Sequence, residues 1–215
     1  MEASIISILG LGFILGVKHA VEPDHVIAVS TIASQTKKLS RSSLAGVFWG
    51  IGHTATLFLI GLIVLLLKEE ISERLAMSLE FLVGVMLVYL GFTGMLTYRK
   101  LSRHTHSIDR SHWKSVAVGF IHGLAGSAAM VLLTMSTVHS IWQGLVYIIV
   151  FGAGTVIGML LFTTVIGLPF VLTAGHSRFN RVLTQATGLI SMTFGVYYMY
   201  NLGVTEGLFA LWLQR

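Results

Sequence analysis

Apolar and polar positions alternate on a long scale in this chain, in runs of twenty or more residues separated by short charged segments. Ser43 to Leu67 contains no Asp, Glu, Lys or Arg, and Leu75 to Tyr98 contains only Glu80. Ser115 to Ser177 is one uncharged run, too long for a single helix, and the polar patch Thr137-Val138-His139-Ser140 divides it in two. Pro169 is expected to help end the second piece, and Val182 to Thr205 gives a further uncharged run. A helix of about 20 apolar residues crosses a bilayer. The pattern therefore predicts five plain spans.

A sixth candidate lies at the N-terminus and is interrupted. Ile5 to Val17 is apolar, Lys18-His19-Ala20-Val21-Glu22-Pro23-Asp24-His25 follows, and apolar character resumes from Val26 to Ala33. Five titratable residues fall within those eight positions, and a charge at the centre of a membrane helix costs about 3 kcal/mol or more. A loop between two half-length stretches is one reading. The favoured one is a discontinuous helix whose broken middle lines a polar cavity.

Composition removes soluble alternatives. Hydrophobic residues make up 54% of the 215 and charged residues 11%, against about 25% charged in ordinary globular chains. Mean hydropathy is +0.83. With no cysteine, disulfides and thiolate metal sites drop out. Met1-Glu2-Ala3 lacks a basic start and no small-residue cleavage site follows, so the first apolar segment is expected to remain in the mature protein. The net charge of +5 reads as basic loops on one membrane face, not as a nucleic-acid footprint. Lys37, Lys38 and Arg41 follow the first span; Arg99, Lys100, Arg103, Arg110 and Lys114 follow the third; Arg178 and Arg181 follow the fifth. The positive-inside rule then places these loops in the cytoplasm and both termini outside the cytoplasmic membrane.

The two halves echo each other. Gly16-Val17-Lys18-His19 aligns with Gly119-Phe120-Ile121-His122, Gly50-Ile51-Gly52-His53 with Gly152-Ala153-Gly154-Thr155, and Gly84 and Gly91 with Gly188 and Gly195, at offsets of 103, 102 and 104 residues. Three spans per half is an odd number, so a second copy sits upside down relative to the first. The expected fold is an all-α integral membrane protein of about six transmembrane helices in two inverted three-helix repeats, the first helix broken near Glu22-Pro23. Residues 1–98 form the first repeat with the polar site, 99–114 a cytoplasmic basic and histidine-bearing loop, and 115–215 the second repeat. Ser127 and Ala128 stand where the first half has Asp24 and His25, so the site belongs mainly to the first half.

His19, Asp24 and His25 form H-x4-D-H. Imidazole suits nickel, cobalt, zinc and copper, and a carboxylate adds an anionic ligand. On a straight helix these positions would lie near 0°, about 140° and about 240°, pointing apart. They converge only if the backbone breaks between them, and Pro23 sits in that interval. The alternative is a proline-kinked helix with scattered polar groups. His53 is the only titratable residue of its span and is the next candidate ligand, although a lone membrane histidine can simply hydrogen-bond across helices. His122 aligns with His19 without acidic neighbours. Lys18 beside a cation site suggests pairing with Glu22 or Asp24 when the site is empty. His104, His106 and His112 read as part of a solvated basic loop, with handing on or sensing metal as the alternative. Gly12/Gly16, Gly46/Gly50, Gly119/Gly123 and Gly154/Gly158 have the spacing that lets helices approach closely.

His19-Ala20-Val21-Glu22-Pro23-Asp24-His25, with Gly52-His53-Thr54 one span later, resembles the two signatures of the nickel/cobalt transporter family. In size the chain is similar to its six-span branch, which includes membrane-bound urease accessory proteins. The resemblance implies a secondary transporter of Ni(II), with Co(II) as an alternative substrate. It also implies His19, Asp24, His25 and His53 as metal-site residues, no cofactor, and a functional link to a nickel enzyme such as urease. Larger members carry an acidic motif in a later helix; here the corresponding stretch, His122 to Ala129, has no carboxylate. The short loop favours import over efflux. No G-x-x-x-x-G-K-[ST] is present, so the chain has no nucleotide-driven motor of its own. Two other classes remain open. His19-x4-Asp24 also resembles the H-x4-D pair of membrane acyltransferases, and His19, His53 and His122 could be axial ligands of a haem.

Overall fold

The computed structural model describes residues 5–67, 71–97, 108–137 and 140–213. These are helical, with no strand among them: α1 Ile5–His19, α2 Pro23–Ala33, α3 Leu39–Leu67, α4 Glu73–Thr97, α5 Ile108–Thr137, α6 Ile141–Leu172, α7 Ser177–Tyr200, a π-helical turn Asn201–Thr205, and α8 Leu208–Leu213. Helices α3, α4 and α6 are long and apolar enough to cross a membrane, and the bent pair α1–α2 adds a fourth span if counted as one.

The break in the first span falls where the proline predicts. Glu22 is extended at φ −63°, ψ 147°, because the ring of the following proline crowds an α-helical residue before it. Pro23 then takes the first turn of α2, where its missing N–H has no helical partner to lose. Before the break the chain tightens: the Val21 amide donates to the Lys18 carbonyl and the Glu22 amide to the His19 carbonyl, both at 3.1 Å. The two helices meet at 55°.

Two boundaries differ from the sequence reading. Helix α5 starts at Ile108, so the 99–114 segment is not a loop throughout. His112 is helical, its ring centroid 4.5 Å from that of Phe48 on α3, and it is packed instead of solvated. Arg110 and Lys114 reside in this first part of α5 because charged residues are compatible with a helix that extends past the apolar layer. His104 and His106 lie outside the described residues. Pro169 does not end α6, which continues to Leu172; membrane helices tolerate an internal proline when neighbouring groups take up the freed carbonyls. The division of the long uncharged run falls as expected: Ser140 caps α6, its hydroxyl accepting from the Gln143 amide at 3.2 Å.

Close approach at glycines sets the packing. A methyl group at Gly16 of α1 would meet the Phe151 carbonyl on α6, and one at Gly154 of α6 would meet the Phe13 carbonyl on α1. The same relation recurs between α5 and α3: Gly119 faces the Trp49 carbonyl and Gly52 faces the Val116 carbonyl. Followed along each pair, Gly12, Gly16 and Val17 meet Tyr147, Phe151 and Gly158, and Trp49 and His53 meet Gly119 and Gly123, so α1 runs parallel to α6 and α3 parallel to α5. Gly50 against Val156 and Gly152 against Thr54 make α3 antiparallel to α6. Gly84 meets Gly195 and Met199, while Gly188 meets Gly91 and Met95, so α4 is antiparallel to α7. Buried hydroxyls bridge the same seams. Thr155 donates to the Gly16 carbonyl at 3.2 Å, Thr56 to the Phe120 carbonyl at 3.1 Å, and Ser191 to the Leu87 carbonyl at 2.8 Å.

Polarity is arranged the reverse of a water-soluble bundle. Ile63, Leu66, Leu161, Val165, Leu189 and Ile190 are all at least half exposed, whereas His25, His53, His122, Thr155 and Ser191 are buried. Apolar side chains on the outside and polar ones within suit a hydrocarbon surrounding. The chain is an all-α membrane protein.

Candidate metal centre

Four elements deliver histidines to one point. His19 is the last residue of α1, His25 lies in the first turn of α2, His53 is mid-way along α3 and His122 is mid-way along α5. The chain break brings the first two together: the rings of His19 and His25 are 4.5 Å apart, which an unbroken helix could not achieve. Gly52 and Gly123 let α3 and α5 approach until only backbone separates them, and this carries His53 and His122 inward. His25, His53 and His122 are each 2% exposed or less.

Nε2 of His19 lies 3.1 Å from Nε2 of His53. The other nitrogen of His19, Nδ1, is 2.9 Å from a Glu22 carboxylate oxygen, an acceptor that favours a proton on Nδ1 and leaves Nε2 free to act as a ligand. His25 has the same arrangement: Nδ1 is 3.1 Å from Asp24 Oδ1, and Nε2 has no hydrogen-bond partner. A carboxylate on one ring nitrogen fixes the tautomer and leaves the other nitrogen as a ligand. One ligand atom from each of His19, His25 and His53 lies within 4.8 Å of the others.

Asp24 is placed differently from the other three residues named from the sequence. Its Oδ1 also accepts from the His25 amide at 2.9 Å, and its Oδ2 accepts from His122 Nε2 at 2.8 Å. It bridges two imidazoles and reaches the cluster through them. With His25 and His122 it makes a second set of ligand atoms within 4.8 Å of one another. The indole of Trp49 packs against the cluster, stacked on the His25 ring at 5.9 Å and tilted against the His122 ring at 5.4 Å.

A cavity of about 310 Å³ opens onto the cluster, lined among others by Lys18, His19, Glu22, Asp24, His25, Glu80, His122 and Tyr198. Among the described residues its charged lining is three carboxylates and one ammonium, which favours a cation. Glu22 is engaged by His19, and both oxygens of Asp24 are engaged by histidines. The expected pairing of Lys18 with these acids is therefore not what the geometry shows. Glu80 and Tyr198 carried no assignment in the sequence. The available signal was the single carboxylate in an otherwise uncharged span, which marks a group with a polar partner or a function.

Comparison with known proteins agrees with this chemistry. The sequence profile of the NicO family, described as high-affinity nickel-transport protein, matches residues 5–110. The chain is 58% identical to the urease accessory protein UreH of Bacillus sp. (strain TB-90), over 99% of each chain. It is 29% identical to a candidate nickel/cobalt efflux system of Methanocaldococcus jannaschii, over 68% of this chain and 70% of that one. It is 28% identical to the chloroplast protein FOR GROWTH AND FERTILITY 1 of Arabidopsis thaliana, over 86% of this chain and 56% of that one. No solved structure matches. With its relative from Bacillus aligned almost end to end and its histidine motif inside the matched region, the chain belongs to the high-affinity nickel-transport protein family.

Proposed function

We propose that the protein moves Ni(II), with Co(II) as a second substrate, across the cytoplasmic membrane, inward, as a secondary transporter that supplies a nickel enzyme such as urease. The observation that carries this is the convergence of His19, His25 and His53. Two metal–nitrogen bonds of about 2.1 Å to one ion span the 3.1 Å between His19 and His53 Nε2 at an angle of about 95°. That suits a tetragonal or octahedral site of the kind nickel takes. The site residues are His19, His25 and His53 as ligands, with Asp24 holding His25 from the adjoining group of Asp24, His25 and His122. The name of the Bacillus relative supports the link to urease, and the family description supports nickel as cargo. A transport family also stands against the acyltransferase and haem readings of the same histidines.

The reciprocal glycine contacts support an inverted duplication, with residues 1–98 and 115–215 as its halves. Gly16 on Phe151 and Gly154 on Phe13 have counterparts in Gly119 on Trp49 and Gly52 on Val116, and each helix runs opposite to its counterpart. Both termini then lie outside the cytoplasmic membrane.

The test is nickel accumulation in cells making the wild type or His19→Ala. A rise in cellular nickel that needs His19 supports import. A fall that needs His19 reverses the direction. Equal nickel in cells with and without the protein removes the transport reading.

A further inference from the structure

We propose that His122 is a direct ligand of the transported cation. It would act at a second station formed by Asp24, His25 and His122, beside the station formed by His19, His25 and His53. The inference rests on the transport reading above, and it adds a residue outside the H-x4-D-H and Gly-His-Thr motifs.

The two stations share one imidazole. The His25 ring lies 4.5 Å from that of His19, 5.2 Å from that of His53 and 4.1 Å from that of His122. His53 and His122 are farther apart, at 6.2 Å. An ion can thus exchange His19 and His53 for Asp24 and His122 while His25 remains bound, and it never loses its whole ligand set. The first station is three neutral imidazoles. The second offers a carboxylate, which compensates part of the charge of a divalent ion in a buried place. Two such ions a few ångströms apart would repel strongly, so the pair of stations holds one ion at a time.

His122 also occupies the place on α5 that His19 occupies on α1. His19 packs its ring 5.4 Å from Phe151, and His122 packs its ring 5.4 Å from Trp49. Gly16, three residues before His19, faces the Phe151 carbonyl; Gly119, three before His122, faces the Trp49 carbonyl. The two histidines flank Asp24-His25 from oppositely running helices. They differ in access, since His19 is 17% exposed and His122 is 2% exposed. His19 thus stands on the open side of the cluster and His122 on the closed side. Its Nδ1, the nitrogen turned away from Asp24, has no partner, a costly state for a buried imidazole unless that lone pair is used, and ligation is such a use.

The competing role is purely positional: His122 would do no more than donate a hydrogen bond to Asp24. Glutamine separates the two, because its amide still donates but it is a poor ligand. Ni(II) binding is measured by calorimetry on purified protein in detergent, and Ni(II) uptake in proteoliposomes containing a metal indicator. His122→Gln should bind one Ni(II) with affinity within about threefold of wild type and transport it at about one-tenth of the rate or less. His53→Ala, which cripples the first station, should retain weaker binding of one ion. Adding His122→Gln to it should lower that residual affinity by a further tenfold or more. Wild-type transport in His122→Gln overturns the proposal, as does equal binding by His53→Ala with and without the glutamine. His122→Asn is the second variant should the glutamine chain not yield folded protein, and the same outcomes decide. A wild type that binds no Ni(II) defeats the transport reading itself. A wild type that binds and transports while His122→Gln matches it defeats only the second station.

Discussion

Tyr198 of α7 donates its hydroxyl to Glu80 of α4 at 3.3 Å, and both line the cavity that His19, His25 and His122 line. The antiparallel seam of α4 and α7 holds the pair in place, with Gly84 and Gly195 in mutual contact one turn away. Glu80 adds negative charge to a cavity whose one ammonium is that of Lys18. Glu80→Gln preserves the hydrogen bond and removes the charge. It should weaken Ni(II) binding about threefold to tenfold, while Tyr198→Phe should change it less. Calorimetric titration of both variants checks the order; a stronger effect from Tyr198→Phe would contradict a charge-based role.

Asp24 is a two-handed contact. Asp24→Asn keeps the shape but replaces one acceptor oxygen with a donor facing an imidazole nitrogen, on either His25 or His122. Loss of such an outer partner costs about 10- to 100-fold in metal affinity. A dissociation constant for Ni(II) unchanged from wild type would mean that the histidines are oriented by packing alone.

The α1–α6 seam predicts a stability difference between two glycines of one helix. Gly16→Ala would drive a methyl group into the Phe151 carbonyl, whereas nothing lies within 4 Å of a methyl group at Gly10. The first should destabilise by about 1–3 kcal/mol, and the second should be neutral or stabilising by up to about 1 kcal/mol. Thermal unfolding of both variants in the same detergent tests it, and equal melting temperatures would refute the packing argument.

The secondary-transport proposal draws its driving force from gradients. An inside-negative potential of 100 mV contributes about 4.6 kcal/mol to inward movement of a divalent ion. Proteoliposomes clamped at that potential with potassium and valinomycin should accumulate Ni(II) well above the level at zero potential. Accumulation that ignores the potential and follows a pH gradient would indicate proton exchange instead.

Much of the site was legible because its cause is local. Pro23 dictates the break, and the break decides that His19 and His25 meet. His53 stood out as the one titratable group of an apolar span. What the sequence did not reveal depends on which helices become neighbours. His122 touches Asp24 only because α5 lies along α3, and Glu80 faces the cavity only because α4 pairs with α7. Neither pairing has a local signal; the glycine offsets pointed to a repeat and not to which helices meet. The start of α5 was obscured for another reason. Asp109, Arg110 and Lys114 fit a loop and the end of a helix protruding from the bilayer equally well. Pro169 misled because a residue that stops helices in water does so less reliably in lipid.

Helix α5 holds the place beside α3 that α1 holds beside α6, yet α5 runs without interruption from residue 108 to 137 while its counterpart is fractured at residues 20–22. Among the described residues the break therefore has no counterpart along α5: a change of angle between α1 and α2 costs no hydrogen bond of a continuous helix, whereas bending α5 at the level of His122 would break at least one.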